Sequence, residues 1–161
     1  MVLYEDEYVI AVSKPAGVVV HQSKYVGNLN KSSLKQNLDE EFNSSFFPIH
    51  RLDGKTTGVI LFAKNKDALA QFQELFKEEK PLKKYLAIVR GFAPKKLVVD
   101  KPIGPPKSEK QRLPKDKIQY KKARTELKLL SKCEFDFSVH PYPTSRYSLV
   151  EFVPITAGLI K

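Results

Sequence analysis

The apolar residues of this sequence occur in short runs that glycine, proline and charged residues interrupt. No continuous apolar run is longer than five residues, as in residues 59–63. A helix that crosses a membrane needs roughly 20 apolar residues, so the sequence excludes a membrane-spanning helix. Short runs rich in β-branched residues and bounded by turn residues are typical of β-strands instead.

These runs predict seven strands, and two further segments predict helices. Ser33 and Asn65 can each cap a helix, and behind Ser33 the apolar residues Leu34, Leu38 and Phe42 recur every four residues. The predicted strands are residues 8–12, 18–20, 59–63, 85–89, 118–120, 125–130 and 147–153. The elements follow one another too closely for repeated strand-helix-strand crossovers. We therefore expect an α+β fold, with a largely antiparallel mixed sheet flanked by helices and loops.

The size and composition of the chain fit one domain with a core of its own. The chain has 161 residues, of which 42% are hydrophobic and 29% are charged, so we expect a single domain over residues 1–161. One cysteine, Cys133, and three histidines show no spacing typical of a zinc site. The N-terminus is acidic where a secretory signal would be basic. We expect a cytoplasmic protein without a structural metal.

Positive charge is concentrated in one half of the sequence. The formal net charge is +10, and residues 80–132 contain seventeen basic and four acidic residues. A surface this positive attracts a polyanion by counterion release, which favours nucleic acid as the partner. The alternative is that the lysines only keep the protein soluble, since 23 of the 28 basic residues are Lys.

The loop of residues 49–58 carries many reactive side chains between two phenylalanines and a predicted buried strand. Gly54-Lys55-Thr56 is similar to the end of a phosphate-binding loop, but that motif needs a glycine where Ile49 stands and a helix afterwards. A nucleotide-binding enzyme is therefore the weakest functional alternative. Without further information, Asp53 near Arg51 is more typical of an ion pair or a turn than of catalysis.

His50-Arg51-Leu52-Asp53, followed by Thr56-Thr57-Gly58 and an apolar strand, resembles the signature of the RluA-type pseudouridine synthases, which isomerise uridine in RNA. Three further stretches resemble motifs of this family in the same order. They are Tyr4-Glu5-Asp6-Glu7-Tyr8 leading to Ser13-Lys14-Pro15-Ala16-Gly17, then Lys84-Tyr85-Leu86-Ala87-Ile88-Val89-Arg90-Gly91, and finally Tyr142-Pro143-Thr144-Ser145-Arg146-Tyr147-Ser148-Leu149-Val150-Glu151. The last stretch is most similar to the TruC branch, which modifies tRNA.

The resemblance implies a pseudouridine synthase-like catalytic domain that works without a cofactor on RNA, with tRNA favoured and ribosomal RNA as the alternative. It makes Asp53 the nucleophile, and it gives Arg51 the role of replacing the flipped base in the RNA stack. The attacked atom, ribose C1′ or base C6, stays open. Tyr85 would stack on the uracil and transfer a proton at C5, although a strand tyrosine is commonly only half-buried packing.

The remaining candidates are RNA contacts. We expect Lys55, Lys14, Lys83 and Lys84 to bind phosphates, with a solvated edge as the alternative for the last three. His50 either assists at the nucleophile loop or packs beneath it.

Two positions depart from the family pattern. Gly54 follows the aspartate where the family usually has a basic residue. Near the C-terminus the family's third motif supplies a cation that pairs with the aspartate, and here only Lys161 can take that place. We therefore expect a domain that is incomplete at its C-terminus. The alternative function is an RNA-binding relative with impaired catalysis, and the oligomeric state stays open.

Overall fold

The computed structural model describes residues 2–22, 32–78, 81–105, 114 and 117–156. The chain divides into two compact units, Met1–Glu78 and Glu79–Ile160, and each is described by itself. The single domain over residues 1–161 stays a prediction.

The first unit contains a four-stranded antiparallel sheet with the order β1-β2-β4-β3. Its strands are β1 (Val2–Glu5), β2 (Val9–Lys14), β3 (Phe47–Pro48) and β4 (Gly58–Ala63). The turn between β1 and β2 is held by Asp6, whose Oδ1 accepts hydrogen bonds from the backbone N–H groups of Tyr8 and Val9, each at 2.8 Å. These two bonds lower the pKa of the Asp6 carboxyl, because they favour its charged form.

Two helices, α1 (Leu34–Phe42) and α2 (Lys66–Lys77), belong to this unit. Ile10 pairs with Phe62, and Val12 pairs with Ile60, so these residues share one face of the sheet. They form a buried cluster with Leu38 of α1. A second buried cluster joins the sheet to α2, and its members are Val9, Ile49, Ala63 and Ala68. Both faces of the central strands are therefore covered.

Local capping determines where both helices begin. Ser33 forms a capping box with Gln36, and the side chain of Asn65 accepts from the N–H of Ala68 at 2.8 Å. At the other end of α1, Asn43 has a φ of 47° in the left-handed region. This conformation is a common helix stop.

The second unit contains another four-stranded antiparallel sheet, with the order β5-β8-β7-β6. Its strands are β5 (Tyr85–Arg90), β6 (Lys96–Asp100), β7 (Arg124–Phe135) and β8 (Ser145–Pro154). Along β5 the side chains alternate between half-buried and exposed, with Tyr85, Ala87 and Val89 on the half-buried side. This alternation is typical of a strand with one covered face.

The prediction of an α+β fold with largely antiparallel pairing is confirmed, with the strands in two sheets. Both predicted helices are confirmed, and so are the strands predicted at residues 8–12, 59–63, 85–89, 125–130 and 147–153. Within the described residues, no helix is long and apolar enough to cross a membrane.

Two predicted strands are wrong, residues 18–20 and 118–120. The carbonyl oxygens of Val19 and Val20 accept hydrogen bonds from the N–H groups of Leu34 and Lys35. These carbonyls thus serve the first turn of α1, whose N–H groups have no partner within the helix. Residues 118–120 are followed by a single isolated bridge, between Ile103 and Lys121.

The capping box at Ser33 makes the first prediction. Ser33→Ala removes the side-chain acceptor for the N–H of Gln36, so we expect the free energy of unfolding to fall by about 1 kcal/mol. Urea denaturation followed by circular dichroism measures the change. Ser32→Ala is the matched control because Ser32 is exposed and precedes the cap. Equal midpoints for the two variants would contradict the capping role.

Candidate active site

The loop of residues 49–58 connects β3 to β4 and is fixed at both ends. The N–H of Ile49 donates to the carbonyl of Leu61 at 3.0 Å, and the N–H of Thr56 donates to the carbonyl of Asp53 at 3.0 Å. Gly58 has a φ of 133°, a conformation that side chains disfavour. Strand β4 therefore begins at a position whose backbone conformation favours glycine.

Exposure alternates along this loop. Arg51, Asp53 and Lys55 are exposed, whereas Leu52 and Gly54 are half-buried. Leu52 packs against the cluster on the α1 side of the sheet. The loop thus has an apolar anchor and presents one carboxylate and two cations to solvent, as the sequence predicts for a functional segment.

Lys14 lies fully buried at the end of β2, with a relative exposure of 0%. Its Nζ donates to the carbonyl oxygens of Pro15 at 3.0 Å, Val18 at 2.8 Å and Gly54 at 3.0 Å. The three protons of the ammonium match these three acceptors. Gly54 directly follows Asp53, so Lys14 connects the turn after β2 to the loop of the candidate nucleophile.

The charge of Lys14 also acts on this loop. Burial lowers the pKa of the Lys14 ammonium, and the attraction of the Asp53 carboxylate opposes that shift. The sequence predicts that Lys14 binds RNA phosphates, but a side chain with 0% exposure has no surface accessible to a phosphate. Its observed contacts are with backbone carbonyls, so Lys14 has a structural role in this structure in place of a phosphate contact.

His50 lies between β4 and α2. Its Nε2 accepts a hydrogen bond from the N–H of Leu61 at 3.2 Å, and its ring stacks on Phe76 with 5.3 Å between centroids and 15° between planes. Since Nε2 is the acceptor, this nitrogen carries no proton in that bond. These contacts favour the prediction that His50 packs beneath the loop.

The other sequence candidates lie in the second unit. Tyr85 is half-buried at the start of β5, next to Lys83, which is half-buried, and Lys84, which is exposed. The Nζ of Lys84 is 3.9 Å from a carboxylate oxygen of Glu151. A pair at this distance, with the lysine side chain 57% exposed, contributes little to stability. Lys84 is thus accessible to a phosphate group.

Several expectations fall on parts of the chain without a description. Lys161 lies outside the described residues, and so do most of residues 107–117, which the sequence predicts to form a basic loop. Where the structure describes the chain, no group of three or more His, Cys, Asp or Glu side chains could hold a metal ion.

Sequence reasoning missed the anchoring role of Lys14. A signal for it exists in the sequence, since Lys14 comes two positions after the apolar run from Val9 to Val12. A lysine that continues such a strand is a candidate for a buried ammonium with several acceptors.

The sequence model of the RNA pseudouridylate synthase family matches residues 8–157. The chain belongs to this family. The resemblance of its motifs to the RluA-type pseudouridine synthases is thereby confirmed.

Named relatives agree with the pseudouridylate synthase family. The chain is 40% identical to tRNA pseudouridine synthase C of Haemophilus ducreyi, with 96% of this chain and 63% of that protein covered. It is 38% identical to tRNA pseudouridine synthase C of Vibrio parahaemolyticus, with the same coverage of 96% and 63%. The chain thus spans less than two thirds of the length of these curated relatives.

A solved pseudouridylate synthase structure also matches. Human RNA Pseudouridylate Synthase Domain Containing 4 superimposes with a TM-score of 0.66 and 27% identity, over 99% of this chain and 60% of that one. The expected pseudouridine synthase-like fold is therefore confirmed.

The anchor at Lys14 makes the second prediction. Lys14→Met removes the donor that the carbonyl oxygens of Pro15, Val18 and Gly54 share, and of these Gly54 keeps the N–H of Gly17. We therefore expect the free energy of unfolding to fall by about 2 kcal/mol. Lys55→Met removes an exposed cation from the neighbouring loop, and we expect it to change stability by less than about 0.5 kcal/mol. Thermal and urea unfolding measure both variants. An unchanged stability for Lys14→Met would contradict the anchoring role.

Proposed function

We propose that this protein isomerises a uridine in RNA to pseudouridine, with tRNA as the substrate and Asp53 as the nucleophile. The observation that carries the proposal is the exposed Asp53 carboxylate on a loop whose backbone is fixed by the buried Lys14. Membership of the RNA pseudouridylate synthase family supports it. The names of the tRNA-modifying relatives support tRNA as the substrate, and with it a cytoplasmic location.

The chemistry needs a nucleophile that holds one fragment while the base turns. The bond between N1 of uracil and C1′ of ribose breaks, and C5 of uracil then bonds to C1′. C5 releases its proton and N1 takes up a proton, so the product is an isomer of uridine. A carboxylate can form the covalent intermediate with the ribose or with the base. A fixed loop lowers the entropic cost of placing Asp53 for this attack.

Arg51 suits the step that exposes the base. It is exposed and stands two residues before Asp53. Taking a base out of a stacked helix leaves a gap and costs a few kcal/mol. A guanidinium is planar and cationic, so it can stack in the gap and contact the flanking phosphates.

Tyr85 is our candidate for contact with the flipped uracil. Its half-buried position on β5 leaves part of the ring accessible. The ring can stack on a base, and the hydroxyl can take part in the transfer of the C5 proton.

Phosphate contacts complete the proposal. Lys55 is exposed on the nucleophile loop, and Lys83 and Lys84 directly precede Tyr85. Cations at these places would bind phosphates of the RNA backbone.

The third prediction tests the nucleophile. Asp53→Asn keeps the size of the side chain and removes its negative charge, so we expect tritium release from C5-labelled uridine in bulk tRNA to fall by at least about a thousandfold. Asp67→Asn is the control because Asp67 is exposed in the first turn of α2.

Full tritium release by Asp53→Asn would refute the mechanism. A native chain that binds tRNA and releases no tritium would refute the catalytic proposal as well. That result would favour the alternative of an RNA-binding relative without catalysis.

The fourth prediction separates the two roles of Tyr85. Tyr85→Phe keeps the ring and removes the hydroxyl, so we expect kcat for tritium release to fall by about a hundredfold. Tyr85→Leu also removes the stacking surface and should raise KM in addition. Tyr147→Phe is the control, since Tyr147 is also half-buried and pairs with Arg90 on the other face of the same sheet. Equal kinetics for Tyr85→Phe and Tyr147→Phe would exclude the hydroxyl from proton transfer.

A further inference from the structure

Two cations surround one exposed aromatic ring in the second unit. The Nζ of Lys132 is 5.0 Å and the Cζ of Arg146 is 5.2 Å from the centroid of the Phe92 ring. Phe92 itself is 46% exposed. We call these three residues the Phe92 cluster. Cation–π attraction orients both cations, so the cluster presents two positive charges in a defined arrangement.

A buried hydroxyl fixes the turn that carries Phe92. The Oγ of Ser148 donates to the carbonyl of Gly91 at 2.9 Å and accepts from the N–H of Ala93 at 2.9 Å. The N–H of Gly91 donates to the carbonyl of Arg146 at 2.7 Å. Gly91 has a φ of 90°, which favours glycine. Phe92 is therefore held on both sides by the backbone and side chains of β8.

Arg146 is held from a second direction. Its Nε donates to Glu134 at 2.9 Å, and the hydroxyl of Thr144 donates to the same carboxylate oxygen at 2.5 Å. These bonds lower the pKa of the Glu134 carboxyl, Thr144 more than Arg146. The Arg146 side chain is still 55% exposed. Its guanidinium is thus oriented by Glu134 and open to solvent.

Strand register places the Phe92 cluster on the same sheet face as Tyr85. Val89 pairs with Ser148, and Ser148 pairs with Lys132. Directly paired residues share a face, and alternate residues along a strand share a face as well. Lys132 is paired with Ser148, and Arg146 is two positions before Ser148 on β8. Both therefore lie on the face of Val89 and Tyr85. Arg90, one residue after Val89, lies on the opposite face.

The distance from Tyr85 to the end of β5 gives the length of nucleic acid that would reach from Tyr85 to the Phe92 cluster. Arg90, the last residue of β5, comes five positions after Tyr85, which corresponds to about 17 Å of strand. A stacked nucleic acid strand advances about 3.4 Å per nucleotide, so about five nucleotides span this distance. The second unit also contains the basic surplus of residues 80–132. A polyanion that reaches Tyr85 thus meets the cluster within a short length of chain.

We propose that the Phe92 cluster is a second RNA-binding site, where Lys132 and Arg146 bind phosphates about five nucleotides from the modified uridine. This placement rests on the proposed function, because Tyr85 is taken as the contact for the uridine. Phe92 acts as a positioning residue that orients both cations. The segment from Tyr142 to Glu151 would then contribute to RNA binding, since the hydroxyl groups of Thr144 and Ser148 and the guanidinium of Arg146 form part of this site.

The fifth prediction compares two charge deletions. Lys132→Gln removes one cation from the Phe92 cluster, and Arg90→Gln removes one cation from the opposite face at the same end of the sheet. We expect Lys132→Gln to weaken the binding of the native chain to fluorescein-labelled bulk tRNA about fivefold, and to reduce the slope of log K against log salt by about one. Arg90→Gln should change both quantities much less. Fluorescence anisotropy at several salt concentrations measures them.

The ring is tested without a change of charge. Phe92→Leu should weaken tRNA binding in the same direction as Lys132→Gln, because both cations lose the ring that orients them. Circular dichroism checks that the variant is folded. Native affinity for folded Phe92→Leu, or equal effects of Lys132→Gln and Arg90→Gln, would overturn the proposal in favour of a general effect of net charge.

The same measurements keep this proposal apart from the proposed function. Binding is measured without turnover, so a chain that releases no tritium can still support or overturn the second site. Tritium release that depends on Asp53, together with equal binding of Lys132→Gln and Arg90→Gln, would support the catalytic proposal and overturn the site at Phe92.

Discussion

The buried ammonium of Lys14 is the contact on which the candidate site depends. It donates to three carbonyl oxygens, and one of them belongs to Gly54, next to Asp53. The carbonyl of Gly54 also accepts from the N–H of Gly17 at 2.8 Å. Burying a charge is costly unless it is fully hydrogen-bonded, so these acceptors have few alternative arrangements. The backbone of the loop that carries Asp53 is therefore held in place, and the charged side chains of this loop stay exposed.

The two units differ in the chemistry that they carry. The first unit covers both faces of its central strands and holds a loop with a carboxylate, which suits chemistry at one atom. The second unit carries the basic surplus and several exposed cations beside aromatic rings, which suits binding to a long polyanion. In the proposed function, positive charge increases the rate of encounter with RNA, and the anchored carboxylate then acts on one nucleotide.

Elements with strong local signals could be predicted from the sequence. The capping box at Ser33, the cap at Asn65 and the apolar alternation of β5 depend on neighbours within four residues. The strands β1, β3 and β6 could not be predicted in this way. All five residues of β6 are exposed, so no burial pattern marks them, and their pairing with β7 is defined by the backbone. At Val19 and Val20 the sequence predicts a strand that the structure does not contain. The carbonyls of these residues accept hydrogen bonds from the first turn of helix α1.

The sequence by itself determined which residues are candidates for chemistry, because their motif is a short continuous segment. Arg51, Asp53 and Lys55 alternate with the anchoring residues Leu52 and Gly54 within one loop. Only the tertiary structure decided what Lys14 and Phe92 do. Lys14 reaches Gly54 across 40 positions, and the turn of Phe92 is held by Ser148 across 55 positions. Such contacts depend on strand register and packing between distant segments, and no local pattern encodes them.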